Sequence, residues 1–528
     1  MRSLVGGREM KEIDRRSIEE YGIPSMVLME RAALAAADEA EALLRERGGR
    51  TVCAVCGFGN NGADGVAAAR ILRLRGFQAQ ILLPDGGGKQ TEEFAAQLAI
   101  AERLAIPVYT VGGPLPKDSD VILDAVFGIG LTRGVEGSYA AMVSFIMEQK
   151  EEKAADVVAV DMPTGVHSDT GQLLGSAVFA DVTVTFGELK LGQALFPGRS
   201  ACGRLVVADI GFVPEPTEKK ERHVFSLENC DLKRIPERRA DSHKGTWGKV
   251  LVIGGAKNMA GAAYFSALAA YRCGAGLVKI LTDQENRQIL QERLPEALLS
   301  TYDASRAESS PEKLKESVIG QLAWADAIVL GPGLGRDGSA ALLAETVLER
   351  ARVPLVVDAD ALNLAAGQER LTKAFAGNMI LTPHLKEMER LTGTPVKELR
   401  ADLVGAAAGL ADRYGVTCVL KDAATVIAEP GGKRFVNQSG SPAMAKGGSG
   451  DVLSGVIAGL LAIGMERTDA AALGVFLHGL AGEYAANKYG LCAPLAHELA
   501  DCVGEVLKEM RWNQQKGGRK LWDLTGHM

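Results

Sequence analysis

The sequence predicts an α/β protein of two domains, each a mostly parallel sheet with helices on both faces. Three observations predict it. Short apolar runs alternate with helical patterns along most of the chain, the order of elements that builds parallel sheets. The runs end in polar motifs, where open α/β sheets hold ligands beyond their strand ends. A charged, proline-punctuated stretch, Pro214-Glu215-Pro216-Thr217-Glu218-Lys219-Lys220-Glu221-Arg222, separates two halves as a linker does. The boundaries expected are 1–212 and 225–511, with a linker at 213–224 and a loose tail over 512–528.

Length supports this division, because 528 residues exceed one ordinary core. Hydrophobic content of 47% and charged content of 24% belong to a globular protein. A net charge of −7 argues against a nucleic-acid surface. No apolar run reaches membrane-span length, and Met1-Arg2-Ser3 leads into no signal-peptide core, so neither nucleic acid nor membrane is an expected partner and a cytoplasmic protein is expected. The eight cysteines read as reduced, mostly buried thiols. Cys53 and Cys56 form a C-x-x-C inside an apolar run with no second pair, which disfavours metal or redox use. The seven histidines show no metal-ligand spacing.

In the first half, Ser25 to Arg47 is an alanine-rich helix. Strands follow at Thr51–Gly57, Gln78–Leu83, Val121–Ala125, Val157–Asp161, Val182–Phe186 and Leu205–Ile210. After the first comes Gly57-Phe58-Gly59-Asn60-Asn61-Gly62-Ala63-Asp64-Gly65, with a helix expected over Val66–Leu74. Strand, glycine loop and helix form the context of a phosphate loop. The paired asparagines and Asp64 add side-chain oxygens able to ligate a cation. Asp124-Ala125-Val126-Phe127-Gly128-Ile129-Gly130-Leu131-Thr132-Arg133-Gly134 is a second glycine-bent loop after a strand. Asp161-Met162-Pro163-Thr164-Gly165 and Gly187-Glu188-Leu189-Lys190 are the third and fourth motifs. Asp161 and Lys190 are the best candidates here for proton transfer. The plain alternatives are a turn-forming aspartate and a surface lysine. Gly86-Gly87-Gly88-Lys89-Gln90-Thr91 is set aside as an exposed loop, since Gln90 stands where a P-loop needs a hydroxyl and no strong apolar helix follows.

The second half opens at Ser242-His243-Lys244-Gly245 and gives strands at Lys249–Ile253, Ala327–Leu330, Val353–Val357, Met379–Leu381 and Val416–Leu420. Polar residues again cluster past the strand ends, at Asp358-Ala359-Asp360, Thr382-Pro383-His384 and Lys421-Asp422-Ala423-Ala424-Thr425. Gly447-Gly448-Ser449-Gly450-Asp451 then leads into the apolar run Val452–Leu461, which reads as a buried helix. Glycines let the backbone approach a ligand closely, and a helix start carries roughly half a positive charge, so this junction is a phosphate seat. Asp451 would lie beside the bound phosphate and take a proton from an attacking hydroxyl, the alternative being a simple helix cap. His384 reads as a substrate contact or a satisfied structural group. Glu387 reads as a helper in placing magnesium or as a structural carboxylate.

The four motifs of the first half resemble the NAD(P)H-hydrate epimerase domain, a Rossmann-like three-layer sandwich, over essentially all of 1–212. The resemblance implies a potassium ion held by Asn61, Asp124 and Thr164. It also implies substrate contacts from Asn60, Asn61, Gly62, Ala63 and Asp64, from Gly128 through Ile129, Gly130, Leu131, Thr132, Arg133 and Gly134, and from Asp161. Ala63 stands where glycine is usual, and Thr164 where serine is usual, keeping the hydroxyl.

The second half resembles the NAD(P)H-hydrate dehydratase domain of the ribokinase-like superfamily, also a three-layer sandwich, over roughly 225–511. The resemblance implies that Lys421, Asp422, Ala423, Ala424, Thr425 and Gly450 bind the adenine nucleotide, with Gly447, Gly448 and Ser449 completing the phosphate seat. Ala263, Gly333, His384 and Asp451 would face the hydrated nicotinamide. Asp422 replaces the glycine usual after that lysine, and Lys446 adds charge before the glycine loop. The implied activity is epimerisation of R and S hydrated NADH and NADPH, followed by dehydration of the S form with ADP and magnesium, giving AMP and phosphate. A homo-oligomer is expected. The rival reading is a ribokinase-like kinase for a vitamin precursor, fused to a non-catalytic binding domain.

Overall fold

The alanines of the first long helix set the packing of the N-terminal half. In α1 (Ser25–Arg47), Ala32, Ala33, Ala36, Ala37, Ala40 and Leu44 are buried, a stripe at three- and four-residue spacing. Small side chains let this helix lie close to the sheet and to its neighbour α2 (Asn60–Leu74). The computed structural model describes residues 1–116, 118–213, 224–307 and 309–515. The chain forms two compact units, one over the described residues from Ser3 to Val213 and the other comprising Met1–Arg2 and the described residues from Val224 onward. The stretch Pro214–Arg222 and the tail beyond Gln515 lie outside the described residues.

The N-terminal unit holds a seven-stranded sheet built from β1 (Thr51–Cys56), β2 (Gln78–Leu83), β3 (Val108–Thr110), β4 (Val121–Ala125), β5 (Asp156–Val160), β6 (Val182–Phe186) and β7 (Arg204–Ala208). Their order is β3-β2-β1-β4-β5-β6-β7, and every pair is parallel. The order reverses direction at β1, so the crevice between β1 and β4 is the switch point where such folds bind ligands. α1 and α2 cover one face, and α4 (Ser138–Lys153) the other, with α3 (Glu92–Arg103) lying against α2. The short strand Arg2–Val5 pairs in parallel with Leu189–Lys190, which places Val5 beside Lys190.

Two expectations need correction. The helix expected from Val66 starts at Asn60, so Asn60 to Gly65 form its first turns and not a loop. Glycine is a poor helix former, but Gly62 and Gly65 are held there by close packing. A Cβ on Gly62 would lie 1.8 Å from the Gly57 carbonyl oxygen, and one on Gly65 2.3 Å from Ala125 Cβ. A helix also follows the Gly86–Gln90 stretch: Thr91 caps α3 through its hydroxyl, which accepts from Phe94 N–H.

The C-terminal unit has β8 (Val224–Ser226), β9 (Lys249–Ile253), β10 (Leu277–Asp283), β11 (Leu298–Tyr302), β12 (Ala327–Leu330), β13 (Leu355–Val357), β14 (Met379–Leu381), β15 (Thr417–Leu420), β16 (Val426–Ala428) and β17 (Arg434–Val436). They run β11-β10-β9-β12-β13-β14-β15-β16-β17-β8, parallel except where β16 pairs antiparallel with both neighbours. Helices α5 (Ala260–Arg272), α6 (Ser449–Ala462), α7 (Arg467–Tyr489) and α8 (Ala496–Gln515) pack together beside the sheet. α8 runs four residues past the expected boundary at 511. α6 likewise begins at Ser449, not at Val452, so Ser449, Gly450 and Asp451 lie within its first turn.

Candidate active sites

In the N-terminal unit, the loops after β1, β4, β5 and β6 open onto a cavity of about 500 Å³. Asn60, Asn61 and Asp64 reach it from the first turns of α2, Gly128 to Leu131 from the loop after β4, and Asp161 and Lys190 from beyond β5 and β6. Gly62 and Ala63 sit behind it, buried in the helix packing, and Thr132, Arg133 and Gly134 lie on the loop outside the lining.

Lys190 is not a surface lysine. Its side chain is 1% exposed, and its ammonium donates to Asp161 Oδ1 (2.5 Å), Thr185 Oγ1 (2.8 Å) and the Phe186 carbonyl (2.9 Å). Asp161 Oδ1 also accepts from Phe186 N–H at 3.2 Å. The Asp161 backbone is left-handed at φ 66°, which is uncommon for a residue with a Cβ and typical of strained functional positions. Its second oxygen faces the cavity floor: a Cβ on Gly128 would lie 3.0 Å from Asn61 Oδ1 and 3.4 Å from Asp161 Oδ2. A carboxylate held by an ammonium at one oxygen and free at the other can exchange a proton with a ligand over Gly128.

Behind this wall, Asp124 is fully buried. Its oxygens accept from Thr164 Oγ1 (2.6 Å) and Thr164 N–H (2.7 Å), and Thr164 Oγ1 in turn accepts from Phe127 N–H (3.1 Å). Burial pushes the Asp124 carboxyl up to about 6, against the pull of the Thr164 bonds. No lysine or arginine pairs with it among the described residues, and Asn61 Nδ2 is buried without a partner. A buried carboxylate bonded to a hydroxyl and a backbone N–H, with no positive side chain beside it among the described residues, is a cradle that a cation fits.

Sequence reasoning missed part of this cavity. Met10, Lys11, Asp14 and Ile18 line it from the first twenty residues, Met29 from α1, and Lys89 from the glycine stretch set aside above. Burial, then repulsion from Asp161 and Glu93, pushes Asp14 up. Burial, then Asp161 and Asp14, does the same to Asp64. Asp64 is legible from its motif, but Met10, Lys11, Asp14, Ile18 and Met29 carry no local motif, and only the fold brings them and Lys89 to the cavity.

In the C-terminal unit the first turn of α6 begins after Gly448, whose φ of 94° needs a glycine. Asp451 is therefore not the cap. It sits in the first turn, where burial and then the neighbouring Asp358 push its carboxyl up to about 7, with Lys421 pulling the other way. Lys421, at the end of β15, donates to Asp358 Oδ1 at 2.8 Å, and Thr382 Oγ1 donates to the same oxygen at 2.7 Å. Burial alone would lower the Lys421 ammonium; Asp358, Glu387 and Asp451 outweigh it and hold it charged. A Cβ on Gly450 would lie 3.5 Å from Lys421 Nζ, so that charge stands directly over the helix start. Asp358, noticed in the sequence only as a strand end, is the residue that orients the lysine. Of the other expected nucleotide contacts, Ala423 is exposed, Asp422 and Thr425 half-buried and Ala424 buried.

His384 caps the helix Leu385–Thr392: its Nδ1 accepts from the N–H groups of Lys386 and Glu387. Glu387 completes the box, accepting from His384 N–H at 2.9 Å, with its other oxygen 3.3 Å from His384 Nε2. Both Glu387 oxygens thus lie against His384, the capping-box arrangement of a structural carboxylate. The His384 side chain is half exposed, so the ring can still meet a ligand. Ala263 is fully buried, and its Cβ would stand 3.1 Å from one on Gly255. Gly333 packs against Ala262 and Met259.

The eight cysteines are free, and burial pushes Cys53 up to about 12, so neither it nor its C-x-x-C partner Cys56 is a reactive thiol. Among the described residues no helix is long and apolar enough to cross a membrane.

Comparison with known proteins places both halves. Residues 250–504 match the family model described as NAD(P)H-hydrate dehydratase, and residues 25–192 match that of the YjeF-related protein N-terminus. A bifunctional NAD(P)H-hydrate repair enzyme of Moorella thermoacetica is 36% identical over 519 residues, covering 96% of this chain and 97% of its own. The Escherichia coli enzyme of the same name is 34% identical, covering 94% and 93%. A solved ADP/ATP-dependent NAD(P)H-hydrate dehydratase from Bacillus subtilis, co-crystallised with ATP/Mg2+, is 34% identical and covers 55% of this chain and 99% of its own, with a TM-score of 0.48. Near-complete coverage of both chains at this identity carries the assignment: the chain belongs to the family of bifunctional NAD(P)H-hydrate repair enzymes.

Proposed function

We propose that the N-terminal unit interconverts the R and S hydrates of NADH and NADPH, and that the C-terminal unit dehydrates the S hydrate with a nucleoside diphosphate, ADP, yielding AMP and phosphate. The observation that carries this reading is that each unit holds its own aspartate–lysine pair, Asp161–Lys190 in one and Asp358–Lys421 beside Asp451 in the other.

For dehydration, the hydroxyl on the reduced ring is a poor leaving group and its phosphate ester a good one. Asp451 takes the hydroxyl proton as the oxygen attacks the terminal phosphorus of ADP. The bond to the bridging oxygen breaks and AMP departs. Phosphate then leaves with the ring C–O bond electrons, a ring proton is lost and the double bond returns. The α6 N–H groups and Lys421 stabilise charge on the transferred phosphoryl group. Magnesium, entering with the nucleotide, would supply further charge neutralisation. For epimerisation, the C–O bond at the hydrated carbon must break and re-form on the other face: Asp161 relays a proton to the departing hydroxyl and takes one from the water that adds back, while Lys190 holds the carboxylate in place. Potassium, held by Asp124, Thr164 and Asn61, would supply the missing counter-charge behind this wall.

The test is to incubate the protein with a mixture of both hydrates and follow the reduced-nicotinamide absorbance, adding ADP or ATP in separate samples. Recovery of absorbance with stoichiometric free phosphate is expected. A stable phosphorylated product would defeat the dehydratase reading in favour of a small-molecule kinase. Asp451→Asn is expected to lower turnover about a hundred- to ten-thousandfold.

A further inference from the structure

Lys89 belongs to the glycine stretch that sequence reading sets aside, yet it lines the N-terminal cavity together with Lys11 of the helix Gly7–Arg15. The stretch is anchored there. Thr91 N–H donates to the Phe58 carbonyl at 3.2 Å, and a Cβ on Gly88 would lie 2.7 Å from Phe58 Cδ2. Phe58 immediately precedes Gly59 and Asn60, so the anchor ties the loop to the first turn of α2.

Three lysines line this cavity. Lys190 is buried and its ammonium is spent on Asp161, Thr185 and Phe186. Lys11 and Lys89 are exposed and have no ion pair among the described residues. A hydrated dinucleotide brings two bridging phosphates to a cavity whose other ionisable lining residues include Asp14, Asp64 and Asp161. Carboxyl groups, protonated or ionised, offer no positive charge to receive those phosphates, so the cations must come from elsewhere in the lining. We propose that Lys11 and Lys89, approaching from two separate elements, form the seat for the substrate's pyrophosphate, an assignment that rests on the epimerase reading. Compact ammonium groups on flexible stems suit phosphate oxygens as point charges.

The test uses full-length protein carrying Lys11→Gln, Lys89→Gln or both. Epimer equilibration is followed by chromatography on NADH hydrate and on hydrated reduced nicotinamide riboside, which lacks both phosphates. The double variant is expected to raise KM for NADH hydrate about tenfold or more, with kcat within about twofold. The loss is expected to be confined to the phosphorylated substrate. An unchanged KM, a fall in kcat alone, or an equal loss on the riboside would overturn the proposal. A wild-type protein that equilibrates neither substrate would defeat the epimerase reading itself, an outcome distinct from variants that match an active wild type.

Discussion

At Asp451, the base proposed for dehydration, the environment would set both the activity and its cost. The carboxyl is pushed up to about 7 from an ordinary 3.8, first by burial and then by Asp358. Only the ionised form accepts a proton, so dehydration is expected to rise with pH through about 7 and level off above it. The stability effect has the opposite sign. Because the folded pKa lies above the unfolded one, folding favours the protonated form, and stability falls as pH rises from about 4 to about 7. Asp451→Asn is therefore expected to melt about 2 °C or more higher than wild type near pH 8, with the gain vanishing near pH 4. Equal melting at both pH values would show that the carboxylate is not desolvated. Asp124 poses the complementary case, a fully buried carboxyl paired with a hydroxyl and a backbone N–H but, among the described residues, with no cationic side chain. Replacing potassium with choline is expected to lower the melting temperature of the N-terminal unit. Asp124→Asn should remove that dependence, and a potassium effect that survives the substitution would place the ion elsewhere.

Between elements, glycine and alanine set the distances on which both sites rest. α6 crosses α5 at Gly455 and Gly459, where added Cβ atoms would lie 2.0 Å from the Ser266 carbonyl oxygen and 2.8 Å from Cys273 Cβ. Gly455→Ala must push the phosphate-seat helix off its support, a loss of about 1–3 kcal/mol by overpacking. Calorimetry should show the C-terminal transition shifted down and the N-terminal one unmoved; equal shifts in both would contradict this. The same packing explains what sequence reading could and could not reach. Strands Gln78–Leu83, Val121–Ala125 and Val182–Phe186 were legible to the residue, because buried parallel strands are continuous apolar runs bounded by turn formers. The starts of α2 and α6 were not, because Gly62, Gly65 and Gly450 speak against helix by propensity and are overruled by neighbours distant in sequence. Polar residues past strand ends were equally visible. Asp14, Lys11 and Lys89 were not, because the chain fold alone brings them to the cavity.

For the whole molecule, the two units divide one task by stereochemistry. The dehydratase consumes one hydrate epimer, and the epimerase resupplies it from the other. The proposed roles fall on separate residues, Asp161 and Lys190 in one unit and Asp358, Lys421 and Asp451 in the other, so each activity is expected to be silenced alone. With excess ADP, the wild-type protein is expected to return all hydrate in a mixed sample to reduced coenzyme. Asp161→Asn leaves the buried Lys190 ammonium without its charged partner, which costs stability. If folded, it should stop at an absorbance plateau set by the S share of the mixture, at an undiminished initial rate. Asp451→Asn should give no recovery yet still equilibrate the epimers. Mixing the two variants should restore full amplitude, because a freely diffusing hydrate released by one can be used by the other. If the mixture stays at the Asp161→Asn plateau, the two variants are not separate lesions in one sequence of steps, and the assignment of epimerisation to the Asp161–Lys190 cavity falls.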